Sequence, residues 1–189
     1  MELLGYFQQH LSLPAGLAQS IEPVFKHQDI KKGEIFLQPD NRSQKVCFIE
    51  KGLIRTYYLK DGKDITHLFF AENRFSVPLE SIFYDRPSPY GWEALENSHI
   101  RIAQYKDLEP MFEKVPGFEK LIRLLLIDVI DVFSERLYAM QFQSAQDRYK
   151  ALIEKHPDIL LRAPLGHIAS YLGITQQTLS VIRAAKFRD

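Results

Sequence analysis

The polar–apolar pattern changes its period twice along the chain. At the start, Leu3, Leu4 and Phe7 share one face of a short helix. Pro14-Ala15-Gly16-Leu17 predicts the opening of a second helix, because proline is tolerated in a first turn. Residues 23–108 then read as β. Period-two or continuous apolar runs recur at 35–37, 46–49, 53–59, 65–70, 91–95 and 99–105. Lys32-Gly33, Pro39-Asp40-Asn41, Lys51-Gly52, Asp61-Gly62 and Asn97-Ser98 punctuate them. Asp61-Gly62 is a hairpin signal, since both residues tolerate positive φ. Short strands at close spacing predict a barrel or double-sheet roll. Residues 71–90 break the rhythm with Pro78, Pro87 and Pro89 around one or two helical turns at 79–84.

After the turn residues Pro110, Pro116 and Gly117, the period becomes helical from 118 to 143. Apolar side chains fill about half of that helix's circumference, wider than the stripe of an ordinary surface helix. Two apolar partners are therefore expected, the β body and a second copy of the same helix. Ile122, Leu126, Val129 and Phe133 have the 4-3-4 spacing of a coiled-coil seam, which Leu137 and Met140 extend past the interruption at Arg136. Ser144 should cap a further helix ending at His156-Pro157. A short strand at 159–163 and a helix opening at Pro164 are expected next.

The densest signal is the run from Leu165 to Arg183. Ile168 and Leu172 lie four apart on the inner face of one helix, and Ala169 is small where two helices must cross closely. Gly173 permits a tight turn, Ile174 fills the space beneath it, and Thr175 is a suitable N-cap. Leu179 and Ile182 bury the second helix, leaving Gln176, Gln177, Ser180, Val181 and Arg183 outward. This is a helix-turn-helix pattern, whose second helix suits the major groove. Gln amides match adenine edges there, and Arg or Lys match guanine or phosphate.

Charge supports that reading once it is divided. The 189-residue chain has 24 basic and 24 acidic side chains. Residues 144–189 hold seven of the basic and four of the acidic groups, leaving 17 and 20 in residues 1–143. A mildly acidic body thus carries a modestly basic tail. With zero net charge, affinity for DNA should lean on paired sites and base contacts rather than bulk attraction. The single cysteine, Cys47, excludes a disulfide framework and any iron–sulfur cluster held by one chain. No signal peptide is visible, and Arg123, Asp128 and Asp131 break the most apolar stretch, so a cytoplasmic protein without a membrane partner is expected.

A β-roll, a long apolar helix and a C-terminal helix-turn-helix, in that order, resemble the Crp/Fnr superfamily of bacterial transcription regulators. Ile49-Glu50-Lys51-Gly52-Leu53-Ile54-Arg55 is similar to that family's strand–Gly–strand hairpin. Ile168-Ala169, Leu172-Gly173-Ile174, Thr178-Leu179-Ser180 and Ile182 are similar to its DNA reader. The resemblance implies an α+β fold in three parts. These are a jelly-roll-like effector domain with flanking helices at 1–117, a dimerisation helix at 118–143, and a helical (winged) helix-turn-helix domain at 144–189. It implies a homodimer on double-stranded DNA, with RNA polymerase as a further partner. DNA contacts would come from Thr175, Gln176, Gln177, Thr178, Ser180, Val181, Arg183 and Lys186, with Arg188 beside them. The dimer seam would use Ile122, Leu126, Val129, Phe133, Leu137 and Met140.

The chain also departs from that family. Its cyclic-nucleotide-binding members carry Phe-Gly-Glu and then an Arg followed by small residues. Here the matching stretch is Arg74-Phe75-Ser76-Val77-Pro78, then Arg86-Pro87-Ser88-Pro89-Tyr90. Val77 cannot hold a ribose hydroxyl, and Pro78 lacks an N–H. The pocket expected from Arg74, Phe75, Ser76, Val77, Arg86, Ser88 and Tyr90 should therefore not take cAMP, and no cofactor is expected. The aromatics Phe69, Phe70, Phe75, Phe83, Tyr84, Tyr90 and Trp92 read first as roll core, and second as the wall of an apolar effector pocket. In the recognition helix, Val181 can touch a thymine methyl but cannot read guanine. With the chain stopping at Asp189, any wing must come from 157–164. Two other readings remain: a degenerate regulator acting through protein partners, and a cupin-type metal enzyme. The second lacks a His-x-His pair, has only His67 and His99 on expected strands, and so offers no metal-ligand set. His10 and His27 carry no signal.

Overall fold

The computed structural model describes residues 2–10 and 21–186, and of His10, Ala185 and Lys186 the backbone only. The helix expected from Pro14, the side chain of Lys186 and all of Arg188 lie outside the described residues.

Helix α1 (Leu3–His10) precedes eight strands. These are β1 (Lys26–Ile30), β2 (Ile35–Leu37), β3 (Lys45–Lys51), β4 (Ile54–Lys60), β5 (Lys63–Phe70), β6 (Phe75–Ser76), β7 (Gly91–Ala94) and β8 (Ser98–Gln104). They form two antiparallel four-stranded sheets, ordered β1-β8-β3-β6 and β2-β7-β4-β5. The unbroken apolar run in β3 follows from burial on both faces. Cys47 and Ile49 meet Ile54, Trp92 and Ile100 between the sheets, while Val46 and Phe48 pack under α1 with Leu3 and Phe7.

Helix α2 (Leu79–Phe83) lies between β6 and β7. Short helices α3 (Tyr105–Leu108) and α4 (Met111–Lys114) then lead into α5 (Phe118–Phe142). Among the described residues the four remaining helices are α6 (Ala145–Lys155), α7 (Ile159–Arg162), α8 (Leu165–Tyr171) and α9 (Gln176–Lys186). Ser144 caps α6 in a full capping box with Asp147, as its position predicts.

Three local expectations need correction. Strand β1 was missed because four of its five side chains face solvent and give no alternation. Phe75 and Ser76, within the stretch where the strand rhythm breaks, pair with Phe48 and Cys47 on β3. Residues 159–163, expected as a strand or wing, form α7 instead. Ile159 and Ala163, four apart, are buried while Leu161 is exposed, which is a helical period.

Candidate functional site

Two surfaces carry chemistry, and they share a wall. The first is a groove-shaped cavity of about 1110 Å³ between the roll, α5 and α6. Of the seven expected pocket residues, Arg74, Phe75, Ser76, Val77, Ser88 and Tyr90 line it, and Arg86 does not. Arg86 is exposed and lies over the Tyr84 ring. Phe75 serves mainly as core: its ring meets Phe48 at 4.8 Å and Tyr6 at 5.6 Å. Val77 packs against the same cluster. Ser88 is buried, and its hydroxyl donates to the Tyr90 carbonyl at 3.3 Å, so it stiffens the loop. Several cations on the cavity wall are engaged within the chain. Arg136 donates to the Tyr171 carbonyl at 3.0 Å, Arg148 to those of Leu172 and Gln143, and Lys155 to Glu135. Arg74 is exposed, and the carboxylates of Glu80, Asp128 and Asp131 also face the cavity.

His67, placed by the sequence on an expected strand, stands on this wall. Its ring stacks on Tyr90 at 4.2 Å and lies 5.5 Å from Phe133 of α5. Burial, helped by the Arg136 charge, pulls its pKa down to about 4, so the imidazole is neutral at pH 7. The unfolded chain then binds the proton more readily than the folded one. Stability from this group is complete above about pH 6.5 and is lost as pH falls towards about 4. His156 and His167, both lowered mainly by burial, act with the same sign. Urea unfolding across that window should show His67 costing up to roughly 3 kcal/mol at the acid end. His67→Phe, which keeps the stack, should remove that share; an unchanged pH profile would refute the assignment. Cys47 has no such role, because complete burial pushes its thiol well above the ordinary range.

The second surface is the α8–turn–α9 pair. Ile168, Ala169, Leu172 and Leu179 are buried together, and Ile174 and Ile182 pack against them. Gly173 makes the turn at φ 68°, and a Cβ there would lie 2.7 Å from Met140 Cε. Thr175 accepts the Thr178 N–H at 3.1 Å, acting as the expected cap. Gln176, Gln177, Thr178, Ser180 and Val181 are exposed, and Val181 keeps 69% of its surface. Arg183 is half-buried. Two hydroxyls are already engaged: Thr178 bonds Thr175, and Ser180 donates to the Gln176 carbonyl.

This helical unit is docked on the roll. Leu53 and Leu95 enter its core, and the Thr66 N–H donates to Ser170 Oγ at 3.1 Å. Arg162 reaches Glu72 and Glu96, each at 2.7 Å at its shortest, and Asp158 at 3.0 Å. Sequence reasoning counted Arg148 and Arg162 as part of the basic tail. Both are spent on internal contacts, which leaves the outer face less cationic than the count implied. Gly52, in the turn between β3 and β4, allows that turn to approach the start of β8, since a Cβ there would lie 2.1 Å from Ser98 Oγ.

Residues 27–115 match the cyclic nucleotide-binding domain family. No curated protein matches the chain in sequence. Among solved structures, a CooA mutant from Carboxydothermus hydrogenoformans superposes with TM-score 0.73 at 18% identity, over 89% of this chain and 79% of that one. FixK2 from Bradyrhizobium japonicum gives 0.74 at 17% identity, over 86% and 84%. The catabolite activator protein of Thermus thermophilus gives 0.60 at 14% identity, over 95% and 85%. The chain has the Crp/Fnr fold. Within that Crp/Fnr frame, the family-matched segment includes β6 and the loop to β7, where Ser76, Val77 and Pro78 stand. Val77 turns an apolar side chain into the core, and Pro78 offers no backbone donor.

The long helix of this Crp/Fnr fold divides the six expected seam residues. Ile122 packs on the protein's own core beside Leu121 and Leu125, and Val129 is half-buried. Leu126, Phe133, Leu137 and Met140 are exposed. Ile130, absent from the expected seam, is 64% exposed and joins them.

Proposed function

We propose that this protein is a homodimeric, sequence-specific DNA-binding transcription regulator whose effector cavity does not take cAMP. The observation that carries it is the division of α9 into a buried side, Leu179 and Ile182, and an exposed side of Gln176, Gln177 and Val181. A polar, hydrogen-bonding helix face held on a rigid scaffold suits the major groove. Gln176 and Gln177 would read adenine edges, Val181 a thymine methyl, and Thr175, Thr178, Ser180, Arg183 and Lys186 would serve phosphates or nearby bases. Pairing two copies along α5 would set two recognition helices about one DNA turn apart, roughly 34 Å. The aromatic cavity suits a small apolar effector, and RNA polymerase is the further partner such a regulator needs. The cytoplasm is the setting this function implies, and no helix among the described residues is long and apolar enough to cross a membrane.

The test is fluorescence anisotropy with DNA from upstream of the protein's own gene, at several salt concentrations. Arg183→Ala should weaken binding about tenfold on every sequence and reduce the salt slope by about 1. Gln177→Ala should instead cost about 1–3 kcal/mol at one base pair and relax the choice there. Equal affinity for all sequences would sink the specific reading. Micromolar cAMP affinity in titration calorimetry would sink the statement about the cavity. A second reading, a weakened reader acting through protein partners, is favoured by Val181 and by the internal use of Arg148 and Arg162. Wild-type affinity no better than that of Arg183→Ala would decide for it.

A further inference from the structure

On the outer face of the β1–β8 pair, three side chains point at one place. Asp29 lies opposite His99 in the strand register, and His27 lies opposite Arg101. Asp29 Oδ1 is 3.2 Å from His27 Nε2 and 2.6 Å from His99 Nδ1, and all three donor atoms lie within 4.8 Å of one another. The two imidazole rings are stacked with centroids 5.9 Å apart. Behind them stands Glu50, whose side chain is 10% exposed. Its Oε2 is 3.6 Å from His27 Nδ1, while Oε1 accepts from Arg101 Nε at 3.0 Å and from the Leu3 N–H at 3.1 Å. Glu50 thus lies within ion-pair reach of Nδ1, while Nε2 of the same ring faces Asp29.

We infer that His27, Asp29 and His99 form a surface site for a divalent transition-metal ion, with zinc as the best match. Two imidazole nitrogens and one carboxylate oxygen are a ligand set suited to zinc, with water completing a tetrahedron. Metal–ligand bonds of about 2.0–2.2 Å place tetrahedral donors about 3.3 Å apart. The His27–Asp29 pair already has that spacing, and the His99–Asp29 contact needs to open by about 0.7 Å. All three side chains are exposed enough to make that adjustment without disturbing the core. Bound metal would tie β1, the edge strand of its sheet, to β8 through side chains as well as the backbone ladder. No sequence spacing announces the site: 70 residues separate Asp29 from His99, and only the strand register joins them. The inference is independent of DNA reading.

The test uses the full chain, free of metal and of any polyhistidine tag. It is titrated with ZnCl2 in competition with a chromophoric chelator, and with CoCl2 followed by visible absorption. One zinc per chain is expected, with the intense bands of tetrahedral Co2+. His27→Ala and His99→Ala should each weaken binding at least tenfold, and the double variant should lose it. Both positions are exposed, and circular dichroism of each variant checks that the fold is kept. Absence of stoichiometric binding, or binding that survives the double substitution, would overturn the site.

Discussion

Replacing Leu137 with glutamate is expected to turn the proposed dimer into a monomer and to abolish tight DNA binding. Leu126, Ile130, Phe133, Leu137 and Met140 follow one another at spacings of four, three, four and three along α5. Each keeps between 38% and 64% of its surface in the single chain. That is the period of a two-helix seam; Ile130 and Leu137 stand clear of the cavity, while Leu126, Phe133 and Met140 also border it. Burying each such side chain contributes about 1.5–3 kcal/mol, and a glutamate in the seam sets two desolvated charges near each other across the twofold. Together these should weaken association more than a hundredfold, read by sedimentation equilibrium, with DNA affinity falling in parallel because two half-sites no longer act together. Ile122→Glu gives the internal comparison. Its side chain packs on the core of the roll, so it should lower stability rather than dissociate a folded dimer. A dimer unmoved by Leu137→Glu would place the interface elsewhere.

The second large effect belongs to Arg55. This arginine is 2% exposed on β4. Its guanidinium meets Asp64 at 2.5 and 2.6 Å, donates from Nε to Glu93 at 2.7 Å and from Nη1 to Thr66 Oγ1 at 3.1 Å, and lies over the Tyr57 ring. Burial opposes its charge, yet the two carboxylates more than compensate and raise its pKa. Arg55→Ala removes the shared counter-ion of both carboxylates, so about 3–5 kcal/mol of stability should be lost. For a chain of this length that is a fall of roughly 10 °C in Tm by differential scanning calorimetry. Arg55→Lys keeps the charge but not the fork, and should fall between. A loss below about 1 kcal/mol for Arg55→Ala would show that the carboxylates find water instead.

These two sites show what a one-dimensional pattern can carry. The strands of the roll were legible because their apolar runs are long and their turns are marked, as at Asp61-Gly62. The helix-turn-helix was legible because Ile168, Ala169, Leu172, Gly173 and Leu179 each satisfy a different steric demand of one motif. Arg55 was quoted from the hairpin without any sign of its burial, since its partners Asp64 and Glu93 lie on neighbouring strands. The seam was placed partly on Ile122 and Val129 because an all-round apolar helix does not say which face its own body claims. Phe118 and Leu121 are buried, and they draw Ile122 inward and leave Ile130 outside. The short apolar run at 159–161 has no intrinsic preference strong enough to separate strand from helix. The His27–Asp29–His99 cluster depends on register alone.

The clasp of Arg162 on Glu72 and Glu96 has one more implication. Glu72 also accepts the Gly52 N–H at 2.9 Å, and Asn73 and Arg74 next to it exchange backbone hydrogen bonds with Ile49. Arg74 and Phe75 then continue directly into the cavity wall. A single peptide unit therefore separates Glu72, whose carboxylate grips Arg162, from Asn73 on the cavity wall. A displacement of that wall would meet Arg162 through these contacts, a shorter path than the 25-residue helix between them. Cavity and reader are in this sense two ends of one short lever, with its fulcrum on β3.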